Sequence, residues 1–309
     1  IVGGARFEKT NITTTSQDTE AEKGSLDAAD ILPSLNLTYT YSDRVNFRTA
    51  YARTLARPTF REIAPFATYD FATNWILVGN PSLERTLVDN FDLRYEFFPN
   101  HGELISVGAF YKSFTNPIEL VFNTKAQNSE LTWRNIDKAT VYGAELEVKK
   151  DLALRRDSMG KFTIGGNFTY IFSEVGIDAQ ELELMRSQDP NASTTRRMFG
   201  QSPYLANVFL RYSNREMGFS ANASYNVSGE KISTVILGAT PNVFQKPFHQ
   251  LDFNVGKTIG KKFSAKLTVR NVLNSLNNKV YSYKGSDYTF NSYRPGTAIS
   301  FGIKYVFKG

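Results

Sequence analysis

The sequence predicts an all-β, membrane-spanning antiparallel barrel wall of about twelve strands. Three observations predict it. Apolar and polar residues alternate with a period of two along most of the chain, which is the signature of strands with one oily and one wet face. The links between alternating runs are short and long in turn, as in barrels with tight turns at one membrane surface and long loops at the other. Composition is aromatic-rich, with 24 Phe and 16 Tyr but 4 Met and no Cys, and no stretch approaches the roughly 20 apolar residues of a spanning helix.

The elements follow in order. Residues 2–14 open the series, and "IVGGARFEKTN" reads as strand rather than as a secretory leader. Runs at 33–42 and 44–56 come next, after a segment from Thr15 to Leu32 read as a long loop. Its acids Asp18, Glu20, Glu22, Asp27 and Asp30 lack the ordered ligand and glycine spacing of a calcium loop. Runs 88–99 and 103–122 form a hairpin on the turn Pro99-Asn100-His101-Gly102. There Phe91, Leu93, Tyr95 and Phe97 oppose Asp92, Arg94 and Glu96. Across the turn Ile105, Val107, Ala109 and Tyr111 oppose Ser106, Gly108 and Lys112, with Phe110 the one misfit.

Runs 132–151 and 161–175 follow; in the second, Phe162, Ile164, Phe168, Tyr170 and Phe172 oppose Thr163, Gly165, Asn167, Thr169 and Ser173. The series continues through 202–214, 217–236, 246–259 and 262–283. It ends at 288–307, where Ile299, Phe301, Ile303, Tyr305 and Phe307 carry the alternation almost to the last residue. Short links fall at Ser42–Arg44, Pro99–Gly102, Asn214–Glu216 and Ile259–Lys262, and a somewhat longer one at Ala153–Gly160. The long ones are Thr15–Leu32, Arg57–Leu87, Asn123–Leu131, Gly176–Gln201 and Leu237–Gln245.

This sorting assigns the two faces. The side carrying Leu93, Tyr95, Ile105 and Val107 is expected to meet outer-membrane lipid, and Asp92, Arg94, Glu96 and Lys112 to face a wet lumen. A charge at the lipid midplane costs about 2–4 kcal/mol, and the cleanest strands place theirs only on the other side. A soluble sandwich needs a second sheet over the oily faces, and a solenoid needs fixed-period repeats, which are absent.

Several stretches are more specific. "YARTLARPTFREIAPF", "GNPSLERTLVDNFDLRYEFFPNHGELISVGAFYKSFTNPIE", "VYGAELEVKK", "GQSPYLANVFLRY" and "YNVSGEKI" together resemble the C-terminal barrel half of TonB-dependent outer-membrane receptors, from about Leu35 to Phe307. The resemblance implies a 22-stranded barrel closed by an N-terminal plug. Residues 1–309 are then the C-terminal part of that barrel, with the plug and the earlier strands outside this sequence. It also implies active uptake of a scarce nutrient such as a siderophore, oligosaccharide or peptide. The drive comes from a TonB-type energy-coupling complex that acts through the missing N-terminal region. Some relatives carry a surface lipoprotein lid, and none of this calls for a resident cofactor. The strand count by itself equally suits a self-contained 12-stranded passive pore.

Binding residues are expected on the long loops. In Arg57–Leu87, the candidates Arg57, Arg61, Tyr69 and Trp75 can pair with carboxylates or stack on rings and sugars, whereas Phe60, Ile63 and Phe66 read as packing between loops. Arg196 and Arg197 are placed to hold an anionic group, or to make salt bridges within the barrel. An enzyme or adhesin is disfavoured. His101 and His249 are the two histidines, no nucleophile motif accompanies them, and no metal ligand set is apparent. The net charge of +6 is scattered singly rather than gathered into a nucleic-acid patch.

Overall fold

The computed structural model describes residues 1–15, 23–71, 75–123, 130–153, 160–237, 240–260, 262–283 and 285–307. Twelve antiparallel strands lie side by side in sequence order, each bonded to the next. They are β1 (Val2–Thr14), β2 (Gly24–Ser42), β3 (Val45–Ala56), β4 (Thr86–Phe97), β5 (Leu104–Thr115), β6 (Lys138–Ala153), β7 (Gly160–Gly176), β8 (Tyr204–Asn214), β9 (Phe219–Ser228), β10 (Phe248–Ile259), β11 (Phe263–Arg270) and β12 (Ala298–Tyr305). Among the described residues β1 and β12 each pair on one side only, so the wall is an open, curved sheet. The links at one end, such as 43–44 and 215–218, are tight. In the β8–β9 turn Gly218 has φ +59°, and a Cβ there would sit 2.4 Å from the Thr258 carbonyl oxygen, so the turn requires glycine.

The expected faces are present. One register row on the outer face runs Leu35, Tyr51, Phe91, Tyr111, Tyr142 and Phe172 across β2 to β7. Neighbouring rings in it approach closely, with centroids 4.9 Å apart for Tyr51 and Phe91 and 5.3 Å for Tyr142 and Phe172. A second aromatic belt, Tyr39, Phe47 and Tyr95, lies nearer the tight turns. On β7 the apolar outer face runs from Phe162 to Phe172. At about 3.4 Å per residue and a tilt of about 40°, that is roughly 26 Å of height, the thickness of an outer-membrane apolar band.

Outward-facing charges flank this band. The Arg53–Asp89 pair sits one row beyond Tyr51 and Phe91, while Lys150 and Lys257 lie at the tight-turn rim, bonded to Glu103 and to the Met217 carbonyl. The misfit Phe110 lies on the inner face over Gly143 of β6, where a Cβ would come within 2.7 Å of its ring. A missing side chain on one strand thus makes room for an extra ring on its neighbour.

Five expected boundaries are corrected. The runs 103–122, 217–236, 262–283, 132–151 and 288–307 each join a wall strand to a separate strand of the outer loops. The breaks fall at Asn116-Pro117, Gly229, Asn271 to Asn274, Asp137 and Pro295-Gly296. Asn116, Asn271 and Asn274 have positive φ, and proline has no N–H to give. The long-loop reading of Thr15–Leu32 also fails over its second half. Gly24 to Leu32 continues β2, with Leu26, Ala28 and Asp30 buried and Ser25, Asp27 and Ala29 exposed. Asp18, Glu20 and Glu22 lie outside the described residues, among which no group of three or more metal-ligating side chains occurs.

Candidate functional site

The separated strands come together at the long-loop end. Four loops contribute to one eight-stranded sheet, ordered 286–293, 277–283, 243–245, 231–236, 118–123, 130–135, 75–78 and 67–70. Its buried centre is Val121, Ile232 and Val235, with Phe199, Leu237 and Phe244 packed against them. The sheet curls. Trp75, on the strand next to one edge, meets Phe122 at 5.1 Å and also Phe290 of the opposite edge strand at 5.4 Å.

Beside this sheet the loop 177–203 supplies a helix, Ala179–Gln188, and a two-residue strand, Thr195–Arg196, that pairs antiparallel with the end of β7. Here a buried ion cluster forms. Arg196 donates to both carboxylate oxygens of Glu119 at 2.6 Å, and Arg134 donates to Glu119 at 3.0 Å and to Glu181 at 2.8 Å. Glu119 is 1% exposed and Arg196 8%, so the charges are held away from water and neutralise one another. Burial pulls the Arg134 guanidinium down, but its bond to Glu181 and the charges of Glu119 and Glu181 outweigh this, and its pKa rises. A cleft of about 720 Å³ adjoins the cluster, lined in part by Glu181, Met185, Asp189, Arg196, Asn242 and Tyr283. The ion cluster itself is balanced, and Asp189, which has no ion pair among the described residues, adds one carboxylate to a lining otherwise of hydrogen-bonding and apolar groups.

The six sequence candidates do not converge. Arg196 lines the cleft and also anchors Glu119, while the adjacent Arg197 is exposed. Arg57 bonds Thr10 at 2.6 Å and pairs with Glu8, pinning its loop to β1. Trp75 is taken up in the loop packing. Arg61 and Tyr69 are exposed away from the cleft, near the helical turn Phe60–Ile63. Glu119, Arg134 and Glu181 were not singled out in the sequence. Their only signal is a charge within an otherwise apolar or aromatic run, as in "IEL" and "TWR". His249 Nδ1 lies 2.6 Å from the Tyr225 hydroxyl.

The comparisons accord with this architecture. Residues 1–272 match the family model described as TonB dependent receptor-like, beta-barrel. Among solved structures, a ferric enterobactin receptor mutant of Pseudomonas aeruginosa in complex with enterobactin aligns with a TM-score of 0.59 at 16% identity, over 98% of this chain and 45% of that one. The siderophore receptor PirA of Acinetobacter baumannii gives 0.58 at 17% identity, over 98% and 45%. The copper transporter OprC gives 0.63 at 11% identity, over 99% and 44%. This chain therefore spans under half the length of the structures it resembles. No match was found among curated proteins. The two-faced wall of twelve strands, its crown of long loops and the family match together establish that the chain belongs to the TonB dependent receptor-like β-barrel family.

Proposed function

We propose that this chain is the C-terminal part of the barrel of a TonB-dependent importer in the bacterial outer membrane, and that it takes up a scarce nutrient such as a siderophore, oligosaccharide or peptide. The observation that carries the reading is the open wall: among the described residues β1 and β12 each leave one edge unpaired. Unpaired edges within the apolar band leave backbone groups without partners in lipid, so further strands are needed to close the barrel. In this reading a plug in the remaining chain fills the lumen and couples to the TonB complex. The loop crown captures the nutrient, with the cleft beside Arg196 as the proposed binding site. Arg61, Tyr69 and Arg197 are exposed side chains of the crown outside the cleft, proposed as further contacts for the nutrient, and Arg57 and Trp75 hold the loops in place. A surface lipoprotein remains a proposed partner of the crown.

Conductance of the purified full-length protein in a planar bilayer tests this. A plugged importer stays closed in buffer and conducts when moderate urea dislodges the plug. Steady open conductance in buffer refutes the gated reading in favour of a passive pore.

A further inference from the structure

The inner face of the wall is electrically uneven. On β3 to β6, Arg48 bonds Glu96 at 2.9 Å, and Arg94 lies 3.2 Å from Glu96 and 2.6 Å from Glu147, so the two signs satisfy one another. On β8 to β12 the inward row carries Arg211, Lys266, Arg270 and Lys304, all exposed and without an ion pair among the described residues. The one carboxylate facing inward from those strands, Asp252, accepts bonds from the Gln250 side chain and from the Asn271 N–H at 2.8 Å.

Two of these cations share a hollow. Register places Arg211 of β8 level with Asn222 and Asn254, and Lys266 of β11 level with Gly256 and Ser220. Three strand spacings and two residues along the strand separate the two backbone positions, roughly 16 Å at about 4.8 Å per strand and 3.4 Å per residue. Between them lies a hollow of about 460 Å³, lined by Arg211, Ser220, Asn222, Asn254, Gly256 and Lys266 among others, with no carboxylate in its lining. A Cβ on Gly256 would lie 2.9 Å from Ser220 Oγ, so the absent side chain deepens the floor. Hydroxyls and amides supply donors there, and the flanking cations supply charge.

We propose that this hollow is an anion cradle that holds a carboxylate or phosphate group between Arg211 and Lys266. It lies near the tight turn 215–218, at the opposite end of the wall from the loop crown, and is distinct from the cleft beside Arg196. The proposal rests on reading this face as a lumen. Two sources present such a group there: an acidic side chain of the segment that fills the lumen, or an anionic solute in passage.

The test uses the purified full-length protein, its R211Q/K266Q double variant, and Lys304→Gln as a control on the same face outside the hollow. Inorganic phosphate is titrated by calorimetry, and urea unfolding is followed by fluorescence; heat-modifiable gel mobility confirms that each barrel is formed. Phosphate binding at least tenfold weaker in the double variant alone assigns the cradle to a free anion. A urea transition lowered in the double variant alone, with no phosphate bound by the native protein, assigns it to a carboxylate of the lumen-filling segment. If neither measurement changes, or Lys304→Gln changes them equally, the cradle is overturned. Neither readout depends on gating, so the result stands apart from the conductance test of the importer reading.

Discussion

Replacing Glu119 with Gln keeps the side-chain shape but removes the charge that faces two guanidinium groups. Arg134 retains Glu181, whereas Arg196, 8% exposed, loses the one carboxylate partner it has among the described residues. Breaking a buried pair by neutralising one member costs about 3–5 kcal/mol, because the surviving charge is left uncompensated away from water. The wall itself is untouched, so the loss should appear as local opening of the crown rather than as unfolding of the barrel. At 1.4 kcal/mol per tenfold, opening around 118–123 and 195–196 becomes some hundredfold to several thousandfold more frequent. Hydrogen exchange of those backbone amides in the detergent-solubilised full-length protein reads this directly. Arg197→Gln, an exposed neighbour, is the control and should change opening by less than about 0.5 kcal/mol. Equal exchange in the two variants would show that the cluster does not hold the crown.

Other consequences follow from the wall and its loops. Leu146→Arg places a charge on the apolar outer face of β6 and should lower stability by about 2–4 kcal/mol in urea titrations in phospholipid, whereas Asn226→Arg on the inner face should be nearly neutral. Gly143→Ala drives a Cβ to 2.2 Å from the Tyr170 carbonyl oxygen and into the Phe110 ring. Overpacking of this kind costs about 1–3 kcal/mol, and its pairing with Phe110→Ala should recover only the ring's share. Lys246 joins Asp287 at 2.7 Å and Glu230 at 2.9 Å, tying loop 229–247 to loop 271–297. The bond to Asp287, then that to Glu230, raises the Lys246 pKa, and the Lys246 bond, then that from Ser282, lowers that of Asp287. A raised lysine pKa gives stability that is lost only as pH rises through it, and a lowered aspartate pKa gives stability lost only as pH falls through it. Trp75 emission, reporting contact with Phe290, should therefore be flat between about pH 5 and pH 10 and change only beyond, on the ordinary pKa values near 4 and 10.4. A transition near neutrality would contradict this tie.

The wall is legible in the sequence because strand periodicity is local. Phe162 to Phe172, or Leu93 to Phe97, must face alternately whatever their neighbours do, and a lipid-facing side tolerates few charges. The twelve wall strands and the side each residue faces follow from that alone. Strand ends were less legible. Residues 118–123, 231–236 and 277–283 keep the alternation of the strands before them, which hides the breaks at Asn116-Pro117, Gly229 and Asn271 to Asn274. The acid-rich stretch to Asp30 read as solvated loop, although its acid at Asp30 is buried against Arg85 at 2.7 Å.

The sequence by itself determined that this chain forms an antiparallel membrane wall with tight turns on one side and loops on the other, since alternation and turn chemistry act over a few residues. Only the tertiary structure decided that those loops weave into one sheet, that Arg196 is committed to Glu119 77 residues away, and that Arg211 and Lys266 face one hollow without an acid between them. Such pairings depend on which distant strands become neighbours, and a side chain's charge does not record its partner.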